Sequence, residues 1–171
     1  RWLPTNPVAP VTNALTRSSV RHGEGLEPSL TNLTVWVRLR KDLVRLLERE
    51  RVCRVATADR SGRPHVVPVC HVWVGGKLYF ATEGTSRKVR NLLQNPRVCV
   101  VVDVYTEDWS RLVGVLVEGT ARVVRSGPLF RRVRALLYRK YPQYPEDAAV
   151  EPPGSVVVEV TPRRVSSWGF D

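Results

Sequence analysis

Residues 52–82 decide the fold, and they read VCRVATADRSGRPHVVPVCHVWVGGKLYFAT. The segment alternates apolar, β-branched runs with short clusters of turn residues, which is the pattern of strands joined by tight turns. The first cluster is DRSGRP at 59–64, and the second is Gly75-Gly76, a pair typical of a two-residue hairpin. We therefore predict an antiparallel meander of three strands, over residues 52–58, 65–74 and 77–82.

Amphipathic helices and further strands surround the meander. Leu39, Leu43, Leu46 and Leu47 recur at helical spacing ahead of it and predict a helix that ends near Glu50. Two more helices are expected over residues 86–94 and 129–141, and four more strands over residues 98–104, 112–124, 156–160 and 163–168. Because tight turns join the first strands, a doubly wound parallel sheet is excluded. The sequence predicts an α+β, mainly β, barrel-type domain of six or seven antiparallel strands with three peripheral helices.

Residues 1–33 differ from the rest of the chain, because prolines and polar residues recur there without a sustained period of 2 or 3.6. We predict a disordered N-terminal extension over residues 1–33 and one barrel domain over residues 34–171. An ordered docking arm is the alternative. The chain contains no Met, even at position 1, which is consistent with a reading frame extended upstream of a non-standard start codon.

Composition and charge limit the classes of function. The 171 residues are 43% hydrophobic and 25% charged, ordinary values for one globular domain, and no apolar run is long enough to cross a bilayer. Cys53, Cys70 and Cys99 lie far apart in strand-like runs, which favours neither a disulfide framework nor a metal site and suggests a cytoplasmic location. The net charge of +11 predicts an anionic partner, but the basic residues are spread along the chain, so nucleic acid is not favoured.

A candidate phosphate site follows the third strand, at Thr85-Ser86-Arg87-Lys88. Ser86 is a natural N-cap, which places Arg87 and Lys88 in the first helical turn. Cations are disfavoured there by the helix dipole, whereas a bound phosphate would reverse the sign of that interaction and accept hydrogen bonds from the hydroxyls and free N–H groups. A solvated basic helix start is the alternative interpretation. We refer to Thr85, Ser86, Arg87 and Lys88 as the cradle.

The order of elements resembles the FMN-binding split barrels of the pyridoxamine 5′-phosphate oxidase-like superfamily, from about Leu39 to the C-terminus. The resemblance rests on three segments: SGRPHVVPV at 61–69, LYFAT at 78–82, and TSRKVRNLLQNPRVCVVVD at 85–103. Three further segments resemble the branch described as dependent on the deazaflavin coenzyme F-420: VDVY at 102–105, EDW at 107–109 and VEGTA at 117–121. The resemblance implies a split β-barrel and a homodimer with two cofactor sites at the subunit interface.

The same resemblance implies roles for single residues. Lys88 would hold the cofactor phosphate, with Ser86 and Arg87 beside it, and Thr82 lies within plausible reach. The ring would lie along the second strand, against Val66, Val67 and Pro68. Trp109 and Trp168 are candidates for covering the ring from the neighbouring subunit, although a core or dimer contact is the favoured alternative for Trp168.

The implied activity is hydride transfer between FMN or coenzyme F-420 and a small organic substrate. A non-enzymatic flavin-binding or carrier protein of the same fold is the first alternative. The second is an FMN-dependent pyridoxamine phosphate oxidase, although the expected substrate-phosphate residues near the C-terminus are missing. Motifs of serine hydrolases, zinc proteases and P-loop proteins are absent from the sequence. We assign no metal and no catalytic residue, and we expect His65 and His71 to be structural.

Overall fold

The computed structural model describes residues 12–13 and 39–170. The predicted extension over residues 1–33 lies outside this part, except for Thr12 and Asn13. The helices are α1 (Lys41–Arg49), α2 (Arg87–Gln94), α3 (Pro128–Lys140) and α4 (Tyr144–Asp147). The strands are β1 (Thr12–Asn13), β2 (Val52–Ala58), β3 (Pro64–Cys70), β4 (Val72–Val74), β5 (Lys77–Glu83), β6 (Arg97–Val104), β7 (Val113–Val124) and β8 (Ser155–Trp168).

One antiparallel sheet forms the body of the domain, with strand order β3-β2-β6-β7-β8-β5-β4. The two-residue strand β1 pairs with β8 outside this order. The edge strands β3 and β4 are consecutive in the chain and are separated by one residue, His71, so the sheet curls round toward itself. The predicted α+β, mainly β, split barrel is confirmed.

The chain bends at His71, within the residues predicted as one strand over 65–74. The imidazole is fully buried, and its Nε2 lies 2.8 Å from the carbonyl oxygen of Leu47 in α1. The hydroxyl of Tyr141, just after α3, accepts a hydrogen bond from the His71 N–H at 2.9 Å. It also lies 2.6 Å from the carbonyl oxygens of His71 and Arg51. The Tyr141 hydroxyl therefore hydrogen-bonds to backbone groups at the point where the chain stops pairing with β2 and begins to pair with β5.

The last two predicted strands form one continuous strand, β8. It pairs with β7 along its length, and the register shifts by one residue between Glu118 and Gly119. A Cβ at Gly119 would lie 2.3 Å from the carbonyl oxygen of Thr161, so glycine permits the close approach of the two backbones. The bulge accommodates Pro162, which lies opposite Gly119.

Two apolar clusters hold the elements together. The first fills the curled sheet with β-branched side chains and is covered by α1 through the fully buried Leu43 and Leu47. The second lies between α3 and the sheet and includes Phe130 and Leu137. Helix α4 lies between α3 and β8, where the sequence predicted no helix, since four residues are too few to show a helical period.

Candidate functional site

The cradle lies between the end of β5 and the start of α2. Ser86 adopts the extended backbone conformation of an N-cap (φ −62°, ψ 153°), but its side chain makes no capping hydrogen bond. The hydroxyl oxygens of Thr82 and Ser86 are 3.5 Å apart, and the Ser86 N–H donates to the carbonyl oxygen of Glu83 at 3.2 Å. The hydroxyls of Thr82 and Ser86 therefore lie together at the start of α2, and the Ser86 hydroxyl does not cap a backbone N–H of the helix.

Titratable side chains from two elements surround the cradle. Arg87 is exposed and Lys88 half-buried in the first turn of α2, which contains no acidic residue. Burial lowers the pKa of Lys88, and the nearby Glu83 carboxylate opposes this effect. On β3, partial burial lowers the pKa of His65, and the charges of Arg87 and Lys88 lower it further. An anion bound here would offset the repulsion among these groups.

Further contacts fix the loop that leads into the cradle. The Gly84 N–H donates to the carbonyl oxygen of Gly154 at 2.8 Å, and the Arg90 guanidinium donates to the carbonyl oxygen of Thr85 at 2.5 Å. A Cβ at Gly84 would lie 3.6 Å from Nη1 of Arg125, which directly follows β7. Sequence reasoning missed Arg125, since no local pattern shows that the end of β7 lies beside Gly84.

The predicted ring-binding residues lie on β3, at an edge of the sheet. Val66 pairs in register with Ala56, and Pro68 with Arg54, both on β2. Val66 is 63% exposed and Pro68 is also exposed, whereas Val67 is half-buried. Strand β3 contacts β5, which leads into the cradle, and the charges of Arg87 and Lys88 act on His65 at the start of β3. The structure thus places β3 and the cradle next to each other.

The two candidate tryptophans differ in environment. Trp109 begins a 3₁₀ turn capped by Asp108, and its side chain is 64% exposed. Trp168 lies against Gly114, where an added Cβ would be 1.9 Å from its Cζ2 atom. Trp168 therefore packs against β7 of its own chain, whereas Trp109 is exposed in this chain.

Other kinds of site find no support in the part of the chain that the structure describes. No group of three His, Cys, Asp or Glu side chains there could hold a metal ion. Cys53, Cys70 and Cys99 are free thiols, and burial raises the pKa of Cys53 to about 12. Among these residues, no helix is both long and apolar enough to span a bilayer.

An antiparallel sheet of this strand order, curled so that its two edge strands are consecutive in the chain, defines the class of split β-barrel folds. Within that class, residues 39–169 match the model of the pyridoxamine 5′-phosphate oxidase family, and the chain belongs to this family.

Three similar proteins illustrate the range of the fold. The 5a,11a-dehydrotetracycline/5a,11a-dehydrooxytetracycline reductase of Streptomyces rimosus is 29% identical over 127 residues, which cover 69% of this chain and 74% of the reductase. A solved F-420 reductase has a TM-score of 0.58 at 23% identity, over 74% of this chain and 98% of its own. The heme storage protein HutZ of Vibrio cholerae has a TM-score of 0.64 at 18% identity, over 72% and 90% of the two chains. At these identities, the two solved structures show a shared fold alone.

Proposed function

We propose that the protein is a flavin- or deazaflavin-dependent oxidoreductase that transfers a hydride to or from a small organic substrate. The observation that carries the proposal is the cradle. It combines cations from the first turn of α2 with two facing hydroxyls, next to an exposed strand edge. FMN and coenzyme F-420 both present a phosphate joined to a planar ring, which matches this arrangement.

The donors of the cradle suit a phosphate group. Ser86 has a hydroxyl that caps no backbone N–H, and Lys88 is half-buried, so its charge is poorly screened by water. Bound FMN or F-420 supplies the hydride chemistry itself. Lys88, Arg87 and Ser86 then hold the phosphate, while Thr82 contributes a second hydroxyl. Val66, Val67 and Pro68 give the ring a strand edge to lie on.

Reduction as the type of chemistry is supported by the relatives. The Streptomyces rimosus protein is a reductase, and a protein of the same fold is an F-420 reductase. The net charge of +11 favours the deazaflavin over FMN, because a polyglutamate tail adds carboxylates that a basic surface attracts.

A homodimer completes the proposal. The outer face of β2, β6 and β7 lies opposite the interior of the barrel and carries Ala56, Val101 and Leu116, none of them fully buried. A cavity of about 690 Å³ lies along these same strands. A second copy seated on this face would cover it and bring the exposed Trp109 to the neighbouring cofactor site.

The dimer is tested by the sedimentation of Val101→Arg. We expect monomers, since the added guanidinium would have to be buried beside Arg54, its in-register neighbour on β2, when a second copy covers this face. Ala135→Arg, on the exposed side of α3, is the matched control and should remain dimeric. A Val101→Arg protein that is folded and still dimeric would show that this face is not the interface.

Cofactor binding is tested by titrating the purified protein with FMN and with F-420, followed by fluorescence. We expect Lys88→Ala to weaken the preferred cofactor by about 1.5–3 kcal/mol, the usual range for a charge-assisted hydrogen bond. Arg131→Ala, exposed on α3, removes the same net charge away from the cradle and should leave the affinity nearly unchanged. Equal affinities for the wild type and Lys88→Ala would remove Lys88 from the site.

Turnover separates the enzyme from a carrier of the same fold. An oxidoreductase reoxidises its bound, reduced cofactor when it is offered a suitable acceptor. We would test a broad panel of acceptors and, in the oxidative direction, pyridoxamine 5′-phosphate. A cofactor that binds tightly and never reacts with any of them would favour the carrier.

A further inference from the structure

A second cavity lies beside the cradle and is lined almost wholly by polar side chains. It has a volume of about 390 Å³ and lies between the β2–β3 turn and α2. We call it the arginine pocket, because four of its eight lining residues are arginines: Arg60 and Arg63 from the turn, and Arg87 and Arg90 from the helix. Asp59, Ser61, Asn91 and Gln94 complete the lining.

The charges in this pocket are unbalanced. Asp59 is its one acidic residue, and the Asp59 carboxylate is engaged by its own turn. It accepts from the Ser61 hydroxyl at 2.7 Å and from the Arg63 N–H at 2.9 Å. These bonds lower the pKa of Asp59, which stays ionised and holds the turn in place. Asp59 also forms an exposed ion pair with Arg63, with 3.9 Å between Oδ2 and Nε. In the described part of the chain, no carboxylate lies within salt-bridge distance of Arg60, Arg87 or Arg90.

The pocket is continuous with the cradle and is built on anchored elements. Arg87 belongs to both, and Arg90 reaches from the pocket to the carbonyl oxygen of Thr85. The amide of Asn91 is buried and donates to the Thr57 hydroxyl at 3.0 Å, which fastens α2 to β2. Arg87 and Arg90 therefore extend from an anchored helix, next to the position where the cradle would hold a phosphate.

From this arrangement we propose that the arginine pocket is a second anion subsite, which takes the anionic arm that follows the cofactor phosphate. The inference rests on the proposed function. Two known kinds of arm share the required chemistry: the second phosphate of FAD and the glutamate carboxylates of coenzyme F-420. FMN ends at its single phosphate and leaves the pocket unused. The subsite would thus select long anionic cofactors over FMN.

The test compares four ligands: FMN, FAD, F-420, and F-420 lacking its glutamates. Each is titrated into the wild type, into Arg60→Ala/Arg63→Ala and into the control Arg131→Ala. We expect the double variant to weaken a ligand with a recognised arm about tenfold, from two exposed charge pairs near the upper end of their range. FMN affinity should change less than twofold, which also shows that the cradle of the double variant is folded.

The pattern of affinity losses among the four ligands shows which anionic group, if any, the arginine pocket recognises. A loss confined to FAD identifies a second phosphate as the recognised group, and a loss confined to F-420 with its glutamates identifies the carboxylates. Equal losses for FMN and the long ligands, no loss for any ligand, or a wild type that binds FMN and rejects both long ligands would each overturn the subsite alone. A wild type that binds none of the four would overturn the proposed function, and the subsite with it.

Discussion

We expect the buried His71 to make the stability of the fold dependent on pH. Its side chain is fully buried, Nε2 lies 2.8 Å from the Leu47 carbonyl oxygen, and Nδ1 has no hydrogen-bond partner. Since a carbonyl oxygen only accepts, Nε2 carries the proton and Nδ1 is bare. Burial, and then the positive charge of Lys140, lower the pKa of His71 from 6.5 to about 4, although the Leu47 hydrogen bond opposes this.

The sign and size of the effect follow from this pKa. The folded protein keeps His71 neutral, while the unfolded chain takes up a proton near pH 6.5, so stability is lost as the pH falls through this range. The fall in pKa corresponds to about 3 kcal/mol once the pH is below 4. Between pH 7 and pH 5 the loss is about 2 kcal/mol. In this window the carboxylates, with ordinary pKa values near 4, are still ionised and contribute little.

The assay is urea unfolding of the cofactor-free protein at pH 7, 6 and 5. His71→Gln keeps an N–H donor for Leu47 but fits the buried site less well, so it should be less stable than the wild type at pH 7. Because glutamine cannot titrate, the variant should lose much less stability between pH 7 and pH 5. His65→Gln is the matched control, because the half-buried His65 also has a lowered pKa but lies outside the bend. If His71→Gln loses as much stability as the wild type, protonation of His71 is not the cause.

Two further substitutions test the contacts that shape the barrel. Tyr141→Phe removes the hydroxyl that serves the backbone at the bend, and it should cost about 1–3 kcal/mol in urea unfolding because a buried N–H loses its acceptor; Tyr105→Phe, at an exposed tyrosine, should change stability by less than about 0.5 kcal/mol. Gly114→Ala places a methyl group where Trp168 lies and should cost about 1–3 kcal/mol, whereas Gly154→Ala has its nearest atom 3.8 Å away and should cost little. Similar losses for each variant and its control would contradict the assigned contacts.

Local patterns predicted most of the fold, and long-range contacts explain what they missed. The turns at 59–64 and Gly75-Gly76 were predicted from the sequence, because a tight turn depends on its own residues. The bend at His71 was not, because its partners Leu47 and Tyr141 lie 24 and 70 residues away in the chain. A continuous apolar run over 65–74 gives no sign of which sheet edge each half will join.

The same distinction applies to the candidate site. The cradle is contiguous in sequence, so its chemistry could be predicted, and its role in binding a cofactor stays a prediction. The arginine pocket joins Arg60 to Arg90 through the packing of α2 on β2, which no spacing shows. A single phosphate is common to FMN, FAD and F-420, so residues that hold it cannot identify the cofactor. Ligand groups beyond the phosphate differ among these cofactors and can identify them. The residues that we propose to contact these groups, such as Arg60, are brought beside the cradle only by tertiary structure.

The first turns of α1 and α2 differ in charge. Helix α1 begins with Lys41, but Asp42 follows in the same turn and Arg49 lies in the last turn, and both Asp42 and Arg49 interact favourably with the helix dipole. Helix α2 begins with Arg87 and Lys88, has no acidic residue in its first turn and has no basic residue in its last. Each misplaced cation costs about 0.3–1 kcal/mol, and the hydroxyls beside it supply no negative charge. A bound anion would make the arrangement favourable, which is why we propose that the start of α2 holds a ligand's phosphate and that neighbouring surfaces contact the rest of the ligand.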